Sequence, residues 1–185
     1  MKLSVREIKA NDIEKIVDYF VLADSEFLIG MGADKSKLPQ RGEWIEKLES
    51  EYEKSYKTKE FYYIIWLLDN QEIGHSNINN IDFGKSATMH LHLWNNDKRK
   101  SGLGLDFLRL TIPYYFRNFG LKKLICEPYS KNVAPNRVLR KLGFEFVRTY
   151  DTKPGWINFY QTVNRYELKK EQLKTLKTAH NTLYN

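Results

Sequence analysis

The hydrophobic and polar positions of this chain follow two periods, and these periods divide it into strands and helices. Alternating positions and short apolar runs predict strands over residues 2–8, 61–68, 72–81, 87–94, 122–127, 144–147 and 156–168. Apolar residues spaced three or four apart predict helices over residues 11–23, 42–56, 103–119, 132–142 and 169–183. The span 24–39 holds Gly30, Gly32 and Pro39, and we expect it to be irregular.

The order of these elements predicts the fold class. Three successive strands joined by short turns, at Asp69-Asn70 and at Phe83-Gly84-Lys85, predict an antiparallel meander. Helices separate the later strands, which predicts crossover connections and helices on both faces of a mixed α/β sheet. The 185 residues suit a single domain over 1–185, in which residues 169–185 form a helical extension.

Composition narrows the classes of function. The net charge is +7, but acidic residues are interspersed almost everywhere, so we do not expect a nucleic-acid partner. The apolar run 61–68 is too short to span a bilayer and the first residues carry no signal-peptide core, so a cytoplasmic protein without a membrane partner is expected. The single cysteine, Cys126, excludes an internal disulfide and is interpreted as a packed thiol rather than a nucleophile. No metal site is expected.

A glycine loop after the fourth predicted strand is the strongest candidate binding site. It reads Arg99-Lys100-Ser101-Gly102-Leu103-Gly104 and leads directly into the predicted helix from residue 103. Unpaired backbone N–H groups at a helix N terminus favour an anion, so the loop is a candidate phosphate site. Gly102 and Gly104 lack a Cβ atom, which lets a ligand approach the backbone closely. A plain strand-to-helix turn is the alternative interpretation.

A second motif follows the next predicted strand. It reads Asn132-Val133-Ala134-Pro135-Asn136-Arg137-Val138-Leu139-Arg140-Lys141-Leu142-Gly143-Phe144. Together, R-x-x-G-x-G and N-x-x-x-N-R-x-L-x-K-L-G-F resemble the GNAT superfamily of acyl-CoA N-acyltransferases, over residues 87–146. The resemblance implies a mostly antiparallel sheet of about seven strands that splays between strands 4 and 5 and holds the pantetheine arm there. It also implies acetyl-CoA as co-substrate and direct attack by a primary amine in a ternary complex.

The resemblance implies a set of cofactor contacts. These are Leu93, Trp94, Arg99, Lys100, Ser101, Gly102, Leu103, Gly104, Asn132 and Asn136. The backbone of Leu93 and Trp94 is expected to pair with the pantetheine arm like an added strand, and Asn132 to hydrogen-bond to it. A solvated basic turn is the alternative for Arg99 and Lys100, and simple helix capping is the alternative for Asn132.

Candidate general bases lie on the fourth predicted strand and at the end of the fifth. Alternation places Thr88, His90, His92 and Trp94 on one face, and a neutral imidazole with a pKa of about 6.5 suits proton transfer. The resemblance favours His90, and Glu127 is its rival. The run from Cys126 to Asn132 is similar to an E/D-P-x-x-x-N segment in siderophore hydroxylysine acylases and some aminoglycoside 6′-acetyltransferases. The alternatives are structural histidines and a surface carboxylate.

One departure from the family concerns the proton donor to the departing thiolate. Many GNAT enzymes carry a tyrosine five residues before the closing Gly-Phe phenylalanine, where this chain has Leu139. Tyr129 and Ser130 are therefore the candidate substitutes. A thiol with a pKa of about 8.5 is also a tolerable leaving group without a proton donor.

The acceptor is not specified by the sequence. A protein N terminus and a polyamine-like or aminoglycoside-like amine are equally compatible with the sequence. Acylation of a hydroxylamine siderophore precursor ranks behind these two acceptors. A non-catalytic CoA-binding or regulatory module on the same fold is the alternative from another class. Candidate pocket residues are Glu26, Asp34, Tyr63, Asp151, Trp156 and Phe159. A leucine stripe on the terminal helix would pack on its own domain or on a second copy in a homodimer.

Overall fold

Seven strands of the described chain build one mixed sheet. The computed structural model describes residues 1–94 and 102–178. The strands are β1 (Leu3–Glu7), β2 (Tyr62–Leu68), β3 (Gln71–Asp82), β4 (Ser86–Leu93), β5 (Lys123–Cys126), β6 (Glu145–Thr152) and β7 (Gln161–Lys169). They lie in the order β1-β2-β3-β4-β5-β7-β6; β4 and β5 are parallel and the other neighbours are antiparallel. The predicted class and strand number are confirmed.

Six α-helices of the described chain flank this sheet. They are α1 (Ile13–Val21), α2 (Ser25–Met31), α3 (Arg41–Glu53), α4 (Leu103–Phe119), α5 (Val133–Lys141) and α6 (Leu173–Thr178). The bounds of α4 are those that its apolar spacing predicts. No helix in the described ranges is long and apolar enough to cross a membrane.

Two segments differ from the sequence-based expectation. Residues 24–39 were expected to be irregular, but they contain α2, which the Asp24 side chain caps by accepting from the Phe27 N–H at 2.7 Å. The last strand begins at Gln161 rather than at residue 156. Residues before it instead bridge to the segment after α2, because the Asp34 N–H donates to the Ile157 carbonyl at 2.8 Å. This bridge closes one side of the cavity described below.

The sheet separates two hydrophobic cores. One core packs α4, α5 and α6 against one face, and there Trp66 stacks on Phe107 at 5.1 Å and donates to Thr111 Oγ1 at 3.0 Å. The other core packs α1, α2 and α3 against the opposite face, around residues such as Ile16 and Ile65. Alternation along the strands assigns successive side chains to the two cores. The cavity described below lies on the second face.

The central strands separate part-way along their length. β4 and β5 pair only through Ser86–Lys123, Ala87–Leu124 and Thr88–Ile125. β4 then continues to Leu93, whereas β5 ends at Cys126, whose thiol contacts the Met89 carbonyl at 3.1 Å. The predicted splay between strands 4 and 5 is therefore present. Burial raises the pKa of Cys126 to about 12, which keeps the group a packed thiol.

Candidate active site

A cavity of about 120 Å³ lies between the sheet and helices α1 to α3. Side chains from β2, β3 and β4 form its floor, and the helices and loop 155–158 form its walls. Its lining consists of Phe20, Met31, Ala33, Trp44, Lys47, Leu48, Phe61, Tyr63, His75, Asn77, Asn79, His90, His92, Gly155, Trp156, Ile157 and Asn158. In the antiparallel register, His75 pairs with His92 and Asn77 pairs with His90. The floor is therefore polar and the walls are mainly aromatic.

The aromatic walls meet at the mouth of the cavity. Trp44 of α3 contacts Trp156 at a ring distance of 5.5 Å and Phe20 of α1 at 5.2 Å. The Lys47 ammonium lies 5.2 Å from the Phe61 ring centre and 5.6 Å from that of Trp156. A cation at these distances is attracted by the ring faces. Lys47 is thus held at the mouth by the walls themselves.

His90 presents a neutral imidazole to the cavity. Its Nε2 lies 3.1 Å from Asn79 Oδ1, so this nitrogen carries the proton and Nδ1 keeps its lone pair. Burial lowers the pKa of His90 to about 4, and the nearby negative charge of Glu127 opposes this shift. The ring is therefore an unprotonated base at neutral pH. His92 lines the same cavity on the same face of β4.

His75 on β3 was not singled out from the sequence. It is fully buried, and its Nδ1 accepts the Trp94 indole N–H at 2.8 Å. An indole nitrogen can only donate, so the proton of the neutral His75 ring lies on Nε2. Burial lowers the pKa of His75 to about 3, so the ring stays neutral. Nε2 has no hydrogen-bond partner within residues 1–94 and 102–178.

Glu127 is already engaged by other side chains. Its Oε1 accepts from the Tyr150 hydroxyl at 2.6 Å and from Arg165 at 2.8 Å. Arg165 also pairs with Glu167 at 2.8 Å. Glu127 is half-buried and does not line the cavity, although it lies near enough to act on His90. The structure brings His90 and His92 together and leaves Glu127 in a separate ion-pair network.

The strand and helix that border the splay carry the predicted cofactor contacts. Gly102 precedes α4 with a left-handed φ of +85°, which favours glycine. Beyond the adjoining backbone, no atom of residues 1–94 and 102–178 lies within 4 Å of a Cβ built at Gly102 or Gly104. Leu103 is buried in the core below them. The Trp94 N–H donates to the Ile73 carbonyl at 2.8 Å, so this end of β4 stays attached to β3. Arg99, Lys100 and Ser101 lie outside the described residues.

Asn132 and Asn136 differ in their partners. Asn132 stands at the N-cap of α5, but its side chain makes no capping hydrogen bond, so the capping interpretation is not supported. The Asn136 amide donates to the carbonyls of Asn132 at 2.7 Å and Tyr129 at 3.0 Å. Its oxygen accepts from Asn164 and from the Tyr166 hydroxyl. Asn136 therefore holds the loop before α5, on the far side of the splay from β4.

Comparison with known proteins adds the family to this geometry. The model of the acetyltransferase (GNAT) domain matches residues 2–145, most of the chain. The chain belongs to the GNAT acetyltransferase family. No curated protein sequence matches it. The resemblance drawn from the glycine loop and the asparagine motif is confirmed at the level of the family.

Solved GNAT structures share the fold at low identity. A ribosomal L7/L12 α-N-protein acetyltransferase bound to coenzyme A has a TM-score of 0.73 and 16% identity, and covers 91% of this chain and 94% of its own. The spermidine N-acetyltransferase of Vibrio cholerae, in complex with CoA and spermine, has a TM-score of 0.75 and 14% identity, and the match covers 93% of this chain and 98% of that one. An aminoglycoside acetyltransferase in complex with coenzyme A has a TM-score of 0.71 and 15% identity, and the match covers 95% of this chain and 99% of that one. These likenesses establish the GNAT fold and leave the acceptor open.

Only part of the predicted set of acceptor-pocket residues lines the cavity. Of the six candidates, Tyr63 and Trp156 line the cavity. The others, Glu26, Asp34, Asp151 and Phe159, do not belong to its lining. Asp34 instead accepts from the Ser36 N–H at 3.0 Å, and Asp151 accepts from the Thr162 hydroxyl. A sequence signal for the missed residues exists, because His75, Asn77 and Asn79 alternate on β3 beside the histidines of β4.

Proposed function

We propose that this GNAT domain transfers an acetyl group from acetyl-CoA to a primary amine in a ternary complex. The observation that carries this proposal is the position of His90. It lies on β4, the strand that borders the splay, and its ring lines a cavity large enough for a small acceptor. Cofactor and acceptor can therefore approach the same stretch of strand from different sides.

The cofactor is held by the elements that border the splay. Backbone N–H groups at the start of α4 receive the pyrophosphate, and the absent side chains of Gly102 and Gly104 permit its approach. The main chain of Leu93 and Trp94 runs beside the pantetheine arm, and Asn132 donates to that arm from the other side of the splay. Arg99, Lys100 and Ser101 are proposed to complete the phosphate site. That Asn132 makes no capping hydrogen bond supports this role.

His90 is the proposed general base. The amine nitrogen attacks the thioester carbonyl carbon, the C–S bond breaks, and the amine proton passes to His90 Nδ1. The hydrogen bond from Nε2 to Asn79 fixes the ring orientation and leaves Nδ1 as the acceptor. The thiolate leaves and takes a proton from Tyr129, Ser130 or solvent. His92 and Glu127 are the rival bases, and Glu127 would first have to give up Arg165 and Tyr150.

Titration and kinetics test this proposal. Calorimetric titration with acetyl-CoA should give saturable one-site binding, and amines should then release the CoA thiol. The H90Q variant should lower kcat/KM by about a hundredfold or more while acetyl-CoA affinity stays within about twofold. H92Q is the matched control on the same strand and face, and its kcat/KM should fall much less than that of H90Q. Binding without turnover of any amine would instead favour the regulatory module.

A further inference from the structure

The charged groups of the cavity favour one chemical class of acceptor. None of the described residues that line it is an aspartate or a glutamate, and Lys47 is the only lysine or arginine in that lining. The carboxylate one helical turn beyond Lys47 is Glu51, which is buried and already accepts from the backbone N–H groups of Glu60 at 2.8 Å and Phe61 at 3.2 Å. It also pairs with Lys54. Among residues 1–94 and 102–178, the lining therefore offers no carboxylate to a polycation.

The aromatic faces at the mouth are already occupied by a cation. The ammonium of Lys47 lies over the rings of Phe61 and Trp156, the position that a substrate ammonium would take in an aromatic cage. A second positive charge placed there would be repelled by Lys47. An anionic group on the acceptor would instead be attracted to it.

The floor of the cavity presents a hydrogen-bond donor. His75 donates from Nε2, because Trp94 fixes the other nitrogen as an acceptor. This N–H is fully buried, and no acceptor atom within residues 1–94 and 102–178 reaches it. A buried donor without a protein partner is open to an oxygen of an ordered water or of a ligand. Asn77, which is 7% exposed, adds an amide two residues along the same face of β3.

We infer that the acceptor is a small amine that carries a carboxylate on an apolar or aromatic body, and that Lys47 selects it against polyamines and aminoglycosides. This inference rests on the proposed function, because it names the substrate class of the same site. Lys47 attracts the carboxylate at the mouth, His75 donates to an acceptor oxygen, and the rings of Trp44 and Trp156 cover the apolar body. The amine end faces His90.

Matched acceptors test the role of the carboxylate. Phenylalanine and leucine are each compared with the amine left when the carboxylate is removed, phenethylamine and isoamylamine, and phenylalaninamide, spermidine and kanamycin complete the set. Rates of thiol release at saturating acetyl-CoA are expressed per unprotonated amine, because the acceptors differ in amine pKa. Each amino acid should exceed its decarboxylated partner by about tenfold or more in kcat/KM. Equal rates for phenylalanine and its amide would overturn the inference.

A variant that reverses the charge of Lys47 tests whether this residue selects the acceptor. K47E should lower kcat/KM for phenylalanine by about tenfold or more and raise that for spermidine, with acetyl-CoA affinity unchanged. K57E is the control, since Lys57 is exposed, does not line the cavity and undergoes the same change of charge. If K47E and K57E alter the preference equally, Lys47 does not select the acceptor.

A binding measurement separates this inference from the proposed function. N-acetylphenylalanine, the product of the inferred reaction, is titrated into the CoA-loaded protein and into its K47E form. Saturable binding that K47E weakens supports the acceptor class even if no amine is turned over, in which case the proposed function alone fails. Turnover of spermidine in preference to the amino acids leaves the proposed function intact and overturns the inference.

Discussion

At the scale of single residues, the role of a side chain depends on the partners it already has. Asn132 and Asn136 are the same residue type four positions apart, yet among the described residues only Asn136 has its amide N–H and oxygen groups all engaged. Glu127 and His90 are both candidate bases, but Glu127 already neutralises Arg165. A sequence states which groups are available, and the folded chain decides which of them remain available to a ligand.

The two asparagines should respond to substitution in opposite ways. N132A should weaken acetyl-CoA binding about fivefold to tenfold, the loss of one hydrogen bond, and leave the free energy of unfolding nearly unchanged. N136A should lower the free energy of unfolding by about 2–3 kcal/mol, because it leaves the buried Tyr166 hydroxyl and the half-buried Asn164 amide without their acceptor. Calorimetric titration and urea unfolding measure the two quantities. A destabilised N132A with full acetyl-CoA affinity would contradict the assignment.

Glu127 provides a test between the two types of base. E127Q should keep kcat within about threefold of the wild type, and its free energy of unfolding should fall by about 1 kcal/mol through loss of the ion pair with Arg165. Kinetics and urea unfolding on the same preparation provide the comparison. The opposite pattern, a kcat lowered a hundredfold or more with unchanged stability, would identify Glu127 as the base in place of His90.

At the scale of elements, the sequence was most informative where the hydrophobic pattern repeats over many residues. The seventeen residues of α4 follow their predicted bounds because many of their side chains are buried along one stripe. α2 was missed because it has seven residues and buries only Leu28, although Asp24 before it and Gly32 after it are ordinary capping signals. The splay came from the resemblance alone, since it depends on where β5 stops.

The candidate site was predictable in part for the same reason. Alternation correctly placed His90 and His92 on one face of β4. It could not show that His75 is buried and engaged by Trp94, because a polar face of a strand is equally compatible with solvent. Lys47 was not singled out from the sequence, because its position over two rings depends on the loop that carries Trp156.

The strand-to-helix loop yields a prediction about side-chain volume. G104V should weaken acetyl-CoA binding about tenfold or more, because a branched side chain would occupy the space through which the phosphates approach α4. G42V on α3 is the matched control, since neither glycine has an atom within 4 Å of a built Cβ and neither has a positive φ. Gly102 is a poorer choice, because its φ of +85° would strain any substitute. Calorimetric titration measures the acetyl-CoA affinity of both variants, and circular dichroism checks that both are folded. Equal affinity in the two would remove the loop from the phosphate site.

At the scale of the whole molecule, stability depends on keeping two histidines neutral on the sheet face that the second core covers, the buried His75 and the half-buried His90. Burial lowers the pKa of His75 to about 3 and of His90 to about 4. In the unfolded chain the two histidines have a pKa of about 6.5. Their contribution to the stability of the folded state is therefore fully present only above that pH. As the pH falls toward the folded values, the unfolded state takes up protons that the folded state cannot, and stability is lost.

This linkage predicts a destabilisation in mild acid. Between pH 7 and pH 5 each of the two histidines should remove up to about 2 kcal/mol from the free energy of unfolding. The carboxylates whose pKa is lowered contribute mainly below this window; they are Asp12, Asp34, Glu51, Glu72 and Glu167. Urea unfolding at several pH values measures the slope, and H90Q should reduce it. A wild-type stability that stays constant from pH 7 to pH 5 would show that these rings are hydrated.

The ladder between β4 and β5 is the shortest in the described sheet, so strand pairing holds the two halves together least at this seam. Strands β1 to β4 and strands β5 to β7 are joined by only three residue pairs, whereas β3 and β4 pair along most of their length. The first hydrophobic core spans both halves, since Met89 of β4 and Tyr166 of β7 are both buried in it, so side-chain packing rather than strand pairing resists opening along this seam. A ligand bound in the splay would contact both strands where they no longer pair with each other, and so would link the two halves of the sheet. Its binding would slow amide exchange in both halves at once, far from any atom that it touches.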